Sequence, residues 1–354
     1  MSESRSPIQI GVIGLGMMGQ THLDAYASMP GVKTVAVSDL DPDRLSGKAK
    51  AGGNIEGQAQ GGFDLASPDV AKHRDGMDLI GDPNVQVVDV CAPTPIHRKL
   101  GLAALESGKH TLVEKPLGRT SADAEALADA AEKAWADHGA VSMCAMCMRF
   151  WPGWDWIKNA VVEQTYGKVR AATFRRVTSH PGGAFYNDGE ACGGAALDLH
   201  IHDADFVRYA FAPDIDVASI GVRAEGYSAI TGEIDHITTT YALPAGTPGV
   251  ADDAMIYAEG GWALAAGFGF SMRCTVNFEK ATADFDVARG AKPLLLHQAG
   301  ETTEVDVAPG MGYDHELAYF VDCVRKGAQA ERVTLRDAAR SVKLVEAEVA
   351  AIGG

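Results

Sequence analysis

Two histidines stand one residue apart beside three carboxylates in CGGAALDLHIHDAD, residues 192–205, the composition expected around a bound metal or an acid/base pair. The backbone decides between them. A strand would put Asp198, His200 and His202 on one face, as a metal site needs, and the alternation from Leu197 to His202 slightly favours it. In a helix, Asp198 and His202 are i, i+4 neighbours and His200 lies on roughly the opposite side. The following run, DADFVRYAF, continues better as a helix, so the segment is read as helical, with an acid/base pair and no metal. Cys144 and Cys147 form a C-x-x-C without a second pair at zinc-site spacing. AVSMCAMCMRF reads instead as a buried strand whose cysteines act as small apolar side chains.

Three more places carry residue types suited to chemistry. Gly14, Gly16 and Gly19, with Met17 and Met18 between them, are in G-x-G-x-x-G register after an apolar run. There Gly14 permits a sharp turn, Gly16 lets the backbone approach a pyrophosphate, and Gly19 lets the following helix pack close to the strand. The helix N-terminus would then offer free N–H groups to the phosphates. Asp39 ends the next strand-like run, VKTVAVSDL, where a dinucleotide fold wants an acid for the ribose hydroxyls. An Asp there repels a 2′-phosphate and Leu40, not Arg, follows it, so NAD is favoured over NADP. Further on, CAPTPIH brings Pro93, Thr94 and His97 to a strand end where a cofactor would pass, and VEKP brings Glu114 and Lys115 to the next. Pro116 denies Lys115 the ordinary α conformation and makes a cis peptide conceivable, a geometry that would aim the ammonium at one point.

The elements that position these residues follow from periodicity. IQIGVIGLG, VKTVAVSDL, VQVVDVCAP and HTLVEKP read as buried strands, and the segments between the first two and the last two read as helices. Such alternation implies a doubly wound parallel sheet with ligands beyond the strand carboxyl ends. Residues 47–76 are Gly-rich and polar and read as a helix remnant and surface loop. In the second half, KVRAATFRRVTSH, IDHITTTYAL, AMIYAEG and SMRCTVNFE are strand-like, and TLRDAARSVKLVEAEVAAI is helical with Thr334 as its cap. The 354 residues suffice for two domains: a dinucleotide-binding domain over 1–140 and an α/β domain over 141–354.

A formal charge of −16 would repel nucleic acid phosphates and anionic lipids, so neither is an expected partner. No basic leader precedes the first strand, no apolar run approaches about 18 residues, and six cysteines make no disulfide framework. The expected setting is the cytoplasm.

With these motifs in order, the sequence resembles the glucose–fructose oxidoreductase, inositol dehydrogenase and MocA family. The resemblance is carried by GVIGLGMMGQTHLDAY, VDVCAPTPIHRKLGLAALESGKHTLVEKPLG, MRFWPGWDWIKNAVVEQTYGKV, GGAALDLHIHDADFVRY and YDHELAYFVDCVRKG. It implies an N-terminal Rossmann domain and a C-terminal α/β domain on a large, mostly antiparallel sheet, with the active site between them. It also implies that Lys115, Asp198 and His202 act beside the nicotinamide. His202 would be the base, Lys115 would polarise the reacting oxygen, and Asp198 would hold the geometry. Arg149 and Tyr313 are candidate substrate residues, although the aromatics around Arg149 suit a core better than a sugar platform. The family has a small or apolar residue where His200 stands, which leaves that histidine unassigned.

The implied activity is hydride transfer between NAD and a hydroxyl or keto group of a sugar, cyclitol or related polyol. The alternatives are an NAD-dependent glycosidase on the same fold and a non-catalytic dinucleotide sensor. Pairing through the open face of the second sheet would give a homodimer or homotetramer.

Overall fold

The computed structural model describes residues 6–49 and 62–353, so part of the Gly-rich stretch 47–76 lies outside the described residues. The chain divides into two compact units, one of residues 1–146 and 313–339, the other of 147–312 and 340–354.

The first unit runs β1 (Ile8–Ile13), α1 (Met17–Ala27), β2 (Val32–Ser38), α2 (Pro42–Leu45), β3 (Ala71–His73), α3 (Gly76–Gly81), β4 (Val87–Val90), α4 (His97–Glu106), β5 (His110–Glu114), α5 (Ser121–His138) and β6 (Ser142–Ala145). The strands form a parallel six-stranded sheet in the order β3-β2-β1-β4-β5-β6, the doubly wound arrangement expected from the alternation. Its strand order reverses between β1 and β4, and the ends of these two strands are where such sheets bind ligands. β4 and β5 are buried along nearly all their length, as strands covered on both faces must be. Asp89 inside β4 is a carboxylate with no exposure at all. Cys144 lies in β6 and Cys147 just after it; both are buried and neither is in a disulfide, which fits the apolar reading.

The second unit contains α6 (Trp154–Val162), β7 (Val169–Ser179), α7 (Ala184–Asn187), α8 (Gly189–Cys192), a π-turn (Ala196–His200), α9 (Ile201–Phe211), β8 (Gly221–Tyr227), β9 (His236–Ala242), β10 (Val250–Leu264), β11 (Ser271–Phe278), β12 (Thr282–Asp286), β13 (Leu294–Gln298) and β14 (Glu301–Glu304). Eight strands pair in the order β14-β13-β12-β11-β7-β10-β9-β8, antiparallel everywhere except between β7 and β10. The aromatic run after β6 fills the core of this unit. Trp154 is fully buried, with ring centroids of Phe206, Phe174 and Phe285 at 4.7, 5.6 and 5.8 Å.

Two further helices close the chain, α10 (Gly312–Lys326) and α11 (Leu335–Ala350). α10 from Tyr313 on and the first turn of α11 belong with the first unit, and the rest of α11 with the second. Thr334 caps α11 as its position predicts, its hydroxyl accepting the Asp337 N–H at 3.0 Å. Strands β8, β12, β13 and β14 were not anticipated, being short or polar and carrying little β-branched signal.

Candidate active site

In the first unit the glycine loop joins β1 to α1. Gly14 has φ +93°, and a Cβ there would stand 2.6 Å from the carbonyl oxygen of Cys91, just past the end of β4. A Cβ on Gly19 would fall 1.8 Å from the Gly14 carbonyl oxygen, so only glycine lets the helix approach the turn this closely. Gly16 differs: nothing lies within 4 Å of its would-be Cβ. It is the N-cap of α1 and makes no side-chain cap bond, and the half-buried Met17 and Met18 follow it as the first helical residues. An open main chain at an uncapped helix N-terminus on the switch point is the environment a pyrophosphate requires. The loop therefore fits a dinucleotide, with Gly14 and Gly19 fixed by packing and Gly16 left to the ligand.

Asp39 sits just past β2. Its Oδ2 accepts the Leu15 N–H at 2.7 Å and its Oδ1 the Asp41 N–H at 2.8 Å, which ties the strand end to the glycine loop. Leu40 beside it is exposed, an apolar surface of the kind that an adenine covers. Arg44 Nη1 lies 3.7 Å from Asp39 Oδ2, a cation beside this acid that spacing alone did not reveal.

At the end of β4, Pro93 is exposed and Thr94 buried. His97 is not at the surface where a cofactor passes. It is buried, with Nε2 2.7 Å from the Ala92 carbonyl and Nδ1 2.9 Å from the Pro116 carbonyl, and burial pulls its pKa below the usual imidazole value. Its ring thus joins the strand end at β4 to the turn after β5. The Lys115–Pro116 peptide is cis. Glu114 is buried and its Oε2 accepts the Lys115 N–H at 2.8 Å, while the Lys115 side chain is half-buried.

Behind this strand end lies a polar cluster that the motifs did not announce. His22, on the buried face of α1, has Nδ1 2.8 Å from Asp89 Oδ2 and Nε2 3.2 Å from Glu114 Oε1. Tyr26 donates to the same Asp89 oxygen at 2.8 Å, and Cys91 Sγ lies 3.4 Å from Asp89 Oδ1 and 3.3 Å from His22 Nδ1. Glu316 of α10 is fully buried in the same electrostatic environment, and neither of its carboxyl oxygens has a hydrogen-bond partner among the described residues. Burial, reinforced by the Glu114 charge, pushes its pKa well above the usual carboxylate range. One signal was visible in sequence: Asp89 interrupts an apolar strand, and such a charge has to be met by donors.

Asp198 lies in the π-turn and His202 in the first turn of α9; both are half-buried. The segment is helical, as its continuation predicted, with the π-turn marking the residues of interest. His200 is set apart by its burial. It is fully buried, its Nε2 2.9 Å from Glu348 Oε2, and Tyr241 donates to Glu348 Oε1 at 2.7 Å. Burial opposes the charge on His200, but Glu348 outweighs it and holds the pKa above the ordinary value. The histidine with no expected role is half of a buried ion pair between the π-turn and α11.

Arg149, expected at the substrate, is a buried partner of Asp205, with Nε–Oδ2 2.8 Å and Nη2–Oδ1 2.5 Å, and it lies over the Tyr209 ring. Tyr313 is buried in the first turn of α10.

A loop between Ser228 and Asp235 braces the approach to the π-turn. Asp235 Oδ2 accepts the N–H groups of Ala229, Ile230 and Thr231 at 2.8, 2.6 and 3.1 Å, and its Oδ1 accepts the Thr231 hydroxyl at 2.7 Å and the Trp262 indole at 2.8 Å. Would-be Cβ atoms on Gly189 and Gly194 stand 2.5 Å and 2.6 Å from carbonyl oxygens of this loop. Small residues at those points let the loop and the helix-bearing segment pack backbone to backbone.

Comparison with known proteins agrees with this geometry. Residues 8–136 match the family model described as an oxidoreductase family with an NAD-binding Rossmann fold. A myo-inositol 2-dehydrogenase of Thermotoga maritima is 27% identical over 297 residues, 83% of this chain and 80% of that protein. A levoglucosan dehydrogenase of Pseudarthrobacter phenanthrenivorans is 29% identical over 208 residues, 57% of this chain and 50% of its own. Among solved structures, a levoglucosan dehydrogenase in complex with NADH and levoglucosan superposes with a TM-score of 0.78 at 21% identity, covering 98% of this chain and 97% of its own.

Proposed function

We propose, from the membership of this chain in the glucose–fructose oxidoreductase, inositol dehydrogenase and MocA family of oxidoreductases, that it is an NAD-dependent dehydrogenase acting on a secondary hydroxyl of a sugar, cyclitol or related polyol. The observation that carries this reading is the glycine loop: Gly14 and Gly19 are required by close packing, whereas Gly16 is open at an uncapped helix N-terminus. Gly14, Gly16, Met17, Met18 and Gly19 would hold the pyrophosphate, Asp39 the adenosine ribose, and Pro93, Thr94 and Glu114 would flank the rest of the dinucleotide. When bound, the nicotinamide supplies the two-electron acceptor.

The chain's own residues handle the proton and the charge. His202 takes the hydroxyl proton, since a neutral imidazole is a competent base near neutral pH. Lys115 holds the same oxygen with its ammonium and favours alkoxide character as the C–H bond weakens. Asp198, one turn before His202, orients the imidazole or the substrate hydroxyl. Relatives named for inositol and levoglucosan support a compact polyhydroxylated ring as the substrate class. The protein works as a homodimer or homotetramer in the cytoplasm, joined through the open face of the eight-stranded sheet.

The test is incubation with NAD and a panel of myo-inositol, scyllo-inositol, levoglucosan and D-glucose, followed by NADH absorbance. Turnover with one or more of these, lost about 10²–10⁴-fold in Lys115→Met and His202→Ala, is the expected result. Cleavage of an aryl glycoside without accumulating NADH would replace dehydrogenation with the glycosidase chemistry.

A further inference from the structure

His22 has no place in the chemistry above, yet it is buried without exposure directly behind the strand end that carries Lys115. Both ring nitrogens face carboxylates. Asp89 Oδ2 already accepts the Tyr26 hydroxyl, and at 2.8 Å from Nδ1 it requires a proton there too. Glu114 Oε2 accepts the Lys115 N–H, so Glu114 is acting as an acceptor, and its Oε1 lies 3.2 Å from His22 Nε2, a charge contact without hydrogen-bond alignment. A lone pair on Nε2 would oppose that oxygen across a dry interior; a second proton makes the contact attractive.

A metal is the competing occupant, because His22, Asp89 and Cys91 offer three ligand atoms close together. The spacing argues against it. Two ligands on one tetrahedral zinc, each about 2.0 Å from the ion, lie about 3.3 Å apart. Nδ1 and Oδ2 are 2.8 Å apart, a hydrogen-bond distance.

We propose that His22 is a positioning residue for Lys115: its ring, shared between the carboxylates of Asp89 and Glu114, holds Glu114 in the orientation that receives the Lys115 N–H, and so fixes the backbone from which the lysine side chain projects. This rests on the reading of Lys115 given above. The groups facing the ring are Tyr26 on its own helix, Asp89 and Cys91 at β4, Glu114 at β5 and Glu316 on α10. Burial disfavours a charge on Glu316. Burial works against a charged His22, but the Asp89 carboxylate at 2.8 Å outweighs it and the pKa is raised well above the usual value; burial also pushes the Cys91 thiol up, so that neighbour stays uncharged.

Two measurements on the full chain test this. In the first, histidine ring nitrogens are labelled with ¹⁵N and followed by NMR from about pH 6 to pH 9, the His22 signal being assigned by its loss in His22→Gln. Both nitrogens should carry protons throughout, because the free residue would titrate near about 6.5. A single-proton tautomer, or a nitrogen shifted by a bound metal, would overturn the proposal.

In the second, kinetics with NAD and myo-inositol are compared with NADH affinity. His22→Gln should lower kcat about 10–100-fold with the NADH Kd within about threefold, the size of effect seen when a supporting partner of a reacting group is lost. Glu114→Gln, whose amide oxygen still accepts from Lys115, should retain more of the rate and let His22 titrate. Wild-type kcat in His22→Gln sinks the positioning role. So does a parallel collapse of kcat, NADH affinity and thermal stability in both variants. Full turnover in Lys115→Met would instead remove the dehydrogenase assignment of that lysine and leave the NMR result standing.

Discussion

At the scale of single residues, the glycines of the β1–α1 loop separate into two kinds, and the difference is measurable. Gly16→Ala meets open space, so its melting temperature should match the parent while NADH affinity falls about 10-fold or more. Gly19→Ala drives a methyl into the Gly14 carbonyl and should cost about 1–3 kcal/mol of stability as well as binding; thermal melts and fluorescence titration with NADH distinguish the two. Equal melting temperatures for both variants would refute the distinction. The turn made by Gly14, Gly16 and Gly19 and the strand end at Asp39 were legible because each depends on local geometry within one βαβ unit. His22, Glu114's second contact and Glu316 were not, since their meaning arises only when α1, β4, β5 and α10 meet. Arg149 illustrates the converse. Its type suits a sugar site, but a carboxylate 56 residues away claims it.

At the scale of elements, the helix carrying Asp198 and His202 is braced by two polar knots with opposite pH signatures. His200 has a folded pKa above its ordinary value, so its pairing with Glu348 stabilises fully below about pH 6.5 and is lost as pH rises through the folded value. Glu348→Gln leaves a buried histidine without its counter-charge and should cost about 3 kcal/mol in urea unfolding at pH 6, with a smaller deficit at pH 9. Asp235 has the reverse sign. Burial raises its pKa, but the N–H of Ala229, the Trp262 indole, the Thr231 hydroxyl and the N–H of Ile230 outweigh it and hold the value to about 2. Its contribution, on the order of 1 kcal/mol after allowance for solvent screening, is therefore present above about pH 4 and lost as pH falls toward 2. Asp235→Asn turns an amide NH₂ toward existing donors and should lower the melting temperature at pH 7, the gap from the parent closing between pH 4 and pH 2. A gap independent of pH would mean the knot is not electrostatic. Sequence periodicity identified the helix but not its π-turn, because an extra residue in one turn leaves the apolar spacing almost unchanged.

At the scale of the whole molecule, the chain carries −16 formal charges, and no helix among the described residues is long and apolar enough to cross a membrane. Light scattering should give a dimer or tetramer; a monomer at micromolar concentration would remove the proposed pairing of the open sheet faces. The presence of a parallel sheet and then a largely antiparallel one was readable from strand-helix alternation followed by β-rich sequence, but the path of the chain was not, because α10 looks like any amphipathic helix until its partners are known.

That path sets an order of events during synthesis. The six strands of the dinucleotide sheet have all been made by residue 145, yet Glu316, Phe320 and the rest of α10 that belong with them come only after residues 147–312, the larger part of the second unit, have been translated. A nascent chain halted before residue 312 should therefore show a sheet with an uncovered apolar flank, bind NADH weakly and recruit holdase chaperones, whereas release of the final forty or so residues should switch binding on in one step. The cofactor then becomes a reporter of docking: its affinity should rise when α10 joins the sheet that precedes it by about 170 residues.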